Sequence, residues 1–397
     1  MSISTIKLYD KDAYATEFEA KVVESAEILD GEYKGAKKVL LDKTLFFPEE
    51  GGQEADFGTL NGEQVLDVQI EKEGTIEIIS HVVRGDFKEG DSVFGIIDWD
   101  HRFDQMQQHS GEHIFSGTVH NLYGYDNVGF HLSRQVVTMD FNGPLDDEQV
   151  LDIERRVNEA IIRNLDIEIS WPSKEELEKL EYRSKKELDG DVRIVTVKGI
   201  DVCACCAPHV RKTGEIGFLK VLNRQNYKGG VRIFIECGLR ALKTLDKEHV
   251  LIQNLAGSLT TSVDNVPGQV NKLRDELFAV KGSLQKAKAE LLAYKLKEIP
   301  KDQKNVVVFT EDMDNKSVQN AINALTIDHS GYCTFFVKTD AGYRYVCGSL
   351  NSDARLVAAA LRERFSAKGG GSEKMVQGSL SDAAEDEIRK VIDEIEG

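Results

Sequence analysis

Two short spacings constrain this chain more than anything else in it. His109 and His113 stand four apart in His109-Ser110-Gly111-Glu112-His113, and Cys205 and His209 stand four apart in Cys205-Cys206-Ala207-Pro208-His209. On a helix, that interval stacks the first two imidazoles on one face. Zinc takes imidazole nitrogen at about 2.0–2.1 Å and thiolate sulfur at about 2.3 Å, usually as a tetrahedron. A fold that uses both pairs must bring segments about ninety residues apart to a single point. Taken singly, each pair is a weak pattern that reads more readily as a buried helix histidine or an unrelated cysteine cluster. Together they make His109, His113, Cys205 and His209 a candidate His₃Cys set for one zinc ion per chain.

The 397 residues suffice for two to four domains. A 41% apolar and 30% charged composition is that of a soluble protein able to bury sizeable cores. No apolar run approaches the roughly 20 residues of a membrane span, and no secretory segment follows Met1. A cytoplasmic protein with no membrane partner is therefore expected. Three cysteines in four positions, 203, 205 and 206, fit reduced thiols or metal ligation better than a disulfide framework. The net charge of −18 argues against indiscriminate nucleic-acid binding, so any polyanion must meet a restricted basic patch.

Along the chain, residues 1–95 read as short strands with turn punctuation. They include Val39-Leu40-Leu41, the alternation of Leu66, Val68 and Ile70, Ile76-Glu77-Ile78 after Gly74, and 93–97. Such spacing predicts a small antiparallel β-barrel. Residues 96–240 mix helices and strands. A helix from about Asp104 to Gly124 carries both histidines, and Asp146 caps a second with the stripe Val150, Ile153, Val157, Ile161. Strands are expected at 135–141, 167–171, 192–197, 218–222 and 231–235, with Cys205 and His209 in a loop after the third. Residues 241–300 read as a helical connector interrupted near Pro267-Gly268. Its second half spaces Val270, Leu273, Leu277, Val280, Leu284, Ala287, Leu291 and Tyr294 by threes and fours, which predicts a coiled coil or long helical hairpin. Residues 301–397 read as a C-terminal α/β domain with strands at 306–309, 333–337 and 343–347 and a helix at 354–365. Its glycine-rich loop, Gly369-Gly370-Gly371 between Lys368 and Lys374, lets backbone amides approach phosphate. A plain surface loop is the alternative. The fold class is thus α+β.

Several segments resemble one family. Asp42-Lys43-Thr44-Leu45-Phe46-Phe47-Pro48-Glu49-Glu50-Gly51-Gly52-Gln53 resembles the segment ending in GGQ of alanyl-tRNA synthetase editing domains. His109–His113 resembles their HxxxH helix, and Asp201 to Gly217 resembles their CxxxH loop with its TGEIG turn. The heptad helix and glycine-rich tail resemble the synthetase's C-terminal region, whose globular part is shared with some DHH phosphoesterases. The long form of the free-standing editing proteins, AlaX, matches essentially the whole chain. No room precedes the barrel for an aminoacylation domain, so a stand-alone, ATP-independent editor is expected. Two departures stand out. The usual CGGTH loop is Cys205-Cys206-Ala207-Pro208-His209 here, with Cys203 and Cys206 as competing ligands, and Ser110 replaces a common threonine.

The resemblance implies hydrolysis of the ester joining a wrong amino acid, serine or in some members glycine, to tRNA(Ala). One methylene is worth only about 1–3 kcal/mol, and an apolar pocket rejects an added hydroxyl poorly, so a second site with the opposite preference is needed. By resemblance, Thr44, Gln53 and Ser110 form the catalytic site. Thr44 would discriminate the serine hydroxyl and Gln53 would orient water or the ester carbonyl. The zinc would shape the site and anchor substrate. Arg362, Arg364, Lys368, Gly369, Gly370, Gly371 and Lys374 would contact tRNA, and the heptad stripe would support a homodimer through the helical and C-terminal region. Two other readings compete. One is a tRNA-binding or regulatory protein with a purely structural zinc. The other is a metallohydrolase of small esters or nucleotides, disfavoured because the tail offers only Asp328-His329 and no second histidine. Glu112 lies between the histidines, but zinc proteases carry glutamate directly after the first, where Ser110 stands. His120 reads as core packing, and His131 is not counted as a ligand.

Overall fold

A computed structural model describes residues 4–73, 76–184, 191–311, 313–381 and 383–395. Gly74, the expected turn residue, lies outside them. The chain divides into two compact units, Met1–Asn254 and Leu255–Gly397.

The first unit opens with β1 (Ile6–Lys7), β2 (Glu17–Glu27), β3 (Lys37–Leu41), β4 (Lys43–Thr44), β5 (Gly58–Leu60), β6 (Glu63–Glu73), β7 (Ile76–Val83) and β8 (Ser92–Ile97). Six of these close a ring in the order β2-β3-β7-β6-β5-β8, every neighbouring pair antiparallel. Closure leaves no free sheet edge. In β2, Phe18, Ala20 and Val22 point into the core while Glu17, Glu19 and Lys21 face out, the period-2 pattern of a half-buried strand. The segment between β4 and β5 leaves the ring and carries Gly51-Gly52-Gln53.

Next comes α1 (Trp99–Tyr123), capped by the Asp98 carboxylate, which accepts from the His101 N–H, and ended by Gly124 at φ 69°. The helix begins five residues before the expected Asp104, because Asp98 supplies the cap. β9 (Asn127–Leu132), β10 (Val137–Phe141), α2 (Asp147–Ile162), β11 (Ile167–Ser170), α3 (Lys174–Leu177), β12 (Ile194–Val197), β13 (Asp201–Ala204), β14 (Leu219–Tyr227) and β15 (Gly230–Cys237) follow. Asp146 caps α2 in a box with Gln149, as its sequence signals. Two sheets result, β14-β15-β10-β9 and β11-β12-β13. Nearly all of α1 from His101 to Val119 is buried against them and against α2. At Gly117 an added Cβ would sit 2.5 Å from the Ile200 carbonyl oxygen, so glycine is what lets the Asp201 strand approach the His113 face of α1. α4 (Gly238–Ser258) crosses the division between the units.

In the second unit, α5 (Val266–Lys297) precedes β16 (Val306–Glu311), α6 (Asn315–Asp328), β17 (Cys333–Thr339), β18 (Gly342–Gly348), α7 (Arg355–Phe365), β19 (Lys368–Gly371), β20 (Met375–Leu380) and α8 (Glu385–Asp393). The sheet order is β16-β17-β18-β20-β19. Two expectations are corrected here. The helical break falls at 259–265, and Pro267 lies in the first turn of α5, where its missing N–H costs nothing. The glycine-rich segment is not a loop: Lys368–Gly371 is the exposed edge strand β19, paired antiparallel with β20. Gly369 and Gly371 lie at close backbone approaches, a Cβ on Gly371 meeting the Met375 oxygen at 2.3 Å, whereas one on Gly370 would meet nothing within 4 Å.

Candidate metal centre

His109, His113, Cys205 and His209 each present one donor atom, and these four atoms lie within 4.8 Å of one another. Cys205 Sγ is 3.3 Å from His209 Nε2 and 3.6 Å from His109 Nε2. A tetrahedron with zinc-length bonds has edges of roughly 3.3–3.7 Å, so the four residues fit such an ion. The imidazole centroids lie 4.6 to 5.4 Å apart.

Each ring's other nitrogen has its own partner. His109 Nδ1 lies 2.6 Å from Gln53 Oε1, His113 Nδ1 lies 2.9 Å from Asp201 Oδ2, and His209 Nδ1 lies 3.0 Å from Ser110 Oγ. Acceptors there place the proton on Nδ1 and leave Nε2 bare for a metal. Asp201 is itself gripped by Arg183 through bonds of 2.7 and 3.0 Å. A second donor group, His113, Asp201 and Cys203, shares this corner, but Arg183 occupies its carboxylate. Burial alone would push the Cys205 thiol up; the facing His109 and His209 outweigh it and hold the thiol well below its usual range. Burial drives His209 down to about 3.

Gln53 reaches the cluster because Glu50-Gly51-Gly52-Gln53 is a two-residue hairpin turn. Both Gly51 (φ 66°) and Gly52 (φ 89°) are left-handed, and Glu50 and Gln53 exchange backbone hydrogen bonds. Gly52 and Glu54 then bond the backbone of Leu132, strapping the turn to β9. The amide orientation of Gln53 follows from His109: its oxygen takes the Nδ1 proton, and its Nε2 is buried with no hydrogen-bond partner among the described residues. A buried ion pair steadies the same segment. Arg102 of α1 meets Asp56 and donates to Leu45 O at 2.6 Å, while Asp56 accepts from Phe47 N–H.

Thr44 is fully buried in the barrel. His81 Nδ1 lies 3.2 Å from Val39 O, so its Nε2 is the acceptor, and the Thr44 hydroxyl donates to it at 2.8 Å while accepting from Phe46 N–H. Glu112 is tied to its own neighbourhood, accepting from Ser116 Oγ and Asn127 Nδ2 at 2.6 Å each. His120 is not core: it pairs with Asp126 at the end of α1, half exposed. His131 is exposed on β9. In the second unit, Arg362, Arg364, Lys368, Lys374 and all three glycines are exposed, and Arg362 donates to Gly369 O at 2.9 Å.

Four residues of the site, Asp201, Arg183, Arg193 and His81, are not among those the sequence points to. Asp201 had a local signal, a lone carboxylate in the alternation leading into the cysteine cluster. The other three had none, because their partners are distant in sequence. A cleft of about 1000 Å³ meets the centre at Asp201 and Cys203, and Asn121, Tyr182 and Arg183 are among its walls. None of the four metal donors lines it.

Known proteins are similar to this chain over most of its length. Residues 3–101 match the model of class II (A) tRNA synthetases, and 192–234 match the threonyl and alanyl tRNA synthetase second additional domain. The alanyl-tRNA editing protein AlaX-L of Pyrococcus horikoshii is 28% identical over 94% of both chains. The alanyl-tRNA editing protein Aarsd1 of Mus musculus is 31% identical, covering 68% of this chain and 67% of its own length. The chain belongs to the alanyl-tRNA editing family. It also matches the alanine–tRNA ligase of Ignicoccus hospitalis at 30% identity, over 82% of this chain but 36% of the ligase. The C-Ala domain of the Aquifex aeolicus synthetase aligns with 23% of the chain at 17% identity and a TM-score of 0.22, covering 90% of that domain.

Proposed function

We propose that this member is a zinc-dependent aminoacyl-tRNA deacylase, hydrolysing the ester of tRNA(Ala) mischarged with serine or with glycine. The convergence of the four donors beside Gln53 carries the reading. A bound zinc would be held by His109, His113, Cys205 and His209, would tie their two segments together and would supply positive charge beside Gln53; with four protein donors it would be coordinatively closed. The work on the ester then falls to the chain. Gln53 holds His109 through its oxygen and offers its amide N–H groups to the ester carbonyl, a preorganised donor in a buried site. Ser110 fixes the His209 tautomer and accepts from Val210 N–H. Thr44 retains an acceptor lone pair, which suits a seryl hydroxyl and gives alanine nothing.

Exposed Arg362, Arg364, Lys368 and Lys374 are the proposed tRNA contacts, offsetting the acidic average locally. A homodimer through the α5 stripe and a cytoplasmic setting complete the proposal. Among the described residues no helix is long and apolar enough to cross a membrane. Ser-tRNA(Ala), Gly-tRNA(Ala) and Ala-tRNA(Ala), incubated with and without chelator, test the reading. Loss of the first, or the first two, only in metal-loaded protein supports it. Inertness toward all three favours a tRNA-binding protein with structural zinc.

A further inference from the structure

One buried guanidinium ties down the metal loop without donating to the metal. Arg193, directly before β12, is 5% exposed. Its Nη1 donates to Cys205 O at 2.7 Å and to Ala207 O at 2.9 Å, and its own carbonyl accepts from Cys205 N–H at 3.1 Å. Its Nε faces Asp10 of the barrel's N-terminal segment at 3.7 Å without a hydrogen bond.

Cys205 and His209 are separated by three residues of irregular backbone, so the distance between their donor atoms depends on the dihedrals at 206–208. Pro208 fixes its own φ and restricts Ala207. Cys206 is left as the softest link, and the two carbonyls that Arg193 holds lie on either side of it. Without the guanidinium both acceptors would lose a buried partner, and the loop would relax to recover one.

We propose that Arg193 is a positioning residue for the metal, setting the bite of Cys205 and His209 from behind the loop. The inference rests on the metal-centre reading and not on which ester is cleaved.

Zinc competition titration and the absorption spectrum of the cobalt(II)-loaded full chain test it, on Arg193→Met and Arg193→Lys. Arg193→Met removes both carbonyl bonds and is expected to weaken zinc by roughly 10–100-fold, the usual cost of losing an outer partner of a ligand. It should also shift the thiolate-to-cobalt band. Lysine keeps the charge but is shorter and lacks the fork, so a smaller loss and a smaller shift are expected. Should the Met variant not fold, the Lys variant decides. Wild-type affinity with an unshifted cobalt spectrum in a folded variant overturns the proposal. So does a lower unfolding midpoint of the metal-free protein with zinc affinity unchanged, which would mark a merely structural arginine. A wild-type chain that binds zinc yet deacylates nothing would remove the proposed function and leave Arg193's role standing.

Discussion

At the scale of single residues, the cluster is defined as much by what holds each imidazole as by the donors themselves. Asp201 is the strongest of these partners, since its carboxylate faces both His113 Nδ1 and Arg183. Asp201→Asn keeps the shape but removes the charge, and zinc affinity measured by competition should fall by roughly 10–100-fold. An unchanged affinity would show that His113 needs no such partner. His81 gives a separate, pH-dependent prediction. Burial lowers it to about 4 against 6.5 for a free histidine, so it is neutral in the fold and the unfolded chain takes up the proton first. Its contribution is therefore complete above pH 6.5 and is lost as pH falls from 6.5 toward 4. The shift corresponds to about 3 kcal/mol. The difference in denaturation free energy between metal-free wild type and His81→Gln should shrink by that order between pH 7 and pH 4. A constant difference would contradict it.

At the scale of elements, the loop between β4 and β5 is the piece that must be rigid. Asp56 and Arg102 are almost completely buried, so Asp56→Ala leaves an uncompensated guanidinium inside the fold and should cost about 3–5 kcal/mol in chemical denaturation. Glycine replacements at 52 and 62 separate strain from clash, since both are left-handed. A Cβ at Gly62 meets nothing within 4 Å, whereas one at Gly52 lies 2.4 Å from the Phe130 oxygen. Gly62→Ala should cost only the roughly 1–2 kcal/mol of a left-handed residue. Gly52→Ala should cost more and also weaken zinc, because Gln53 is displaced from His109; equal losses and equal zinc binding would refute this. The same elements show what the sequence makes readable. The α2 cap and stripe, the α1 stop at Gly124 and the i,i+4 donor pairs are local and were visible in the sequence. The alternation of Phe18, Ala20 and Val22 in β2 is equally local. Lys368–Gly371 reads as a loop because triple glycine carries no strand signal; the pairing of β19 comes from β20. Gln53's place beside His109 depends on a turn strapped to β9, and Arg193's on carbonyls of a distant loop, contacts that no local pattern encodes.

At the scale of the whole molecule, the unexplained surface is the stripe on α5. Leu273, Leu277, Val280, Leu284, Leu291 and Tyr294 are 49–69% exposed in the single chain. From Val270 to Tyr294 the stripe runs about 36 Å at 1.5 Å per residue, with the three–four spacing of a coiled-coil seam. Surface polar replacements cost a single chain little, usually within about 0.5 kcal/mol. Buried in a two-chain seam, the same positions would carry most of the association energy, because a charge there loses its water without gaining a partner. The double variant Leu277→Glu, Leu284→Glu therefore distinguishes the two situations. If α5 pairs with a second copy, sedimentation equilibrium should show wild type as a dimer and the variant as a monomer, with zinc content unchanged because the donors lie in the other unit. Unfolding of the wild type should then depend on protein concentration, and that of the variant should not. A wild type that sediments as a monomer at every concentration would rule out self-pairing. It would assign the stripe to a different partner, and comparison of the two proteins with tRNA added would show whether that partner is the substrate.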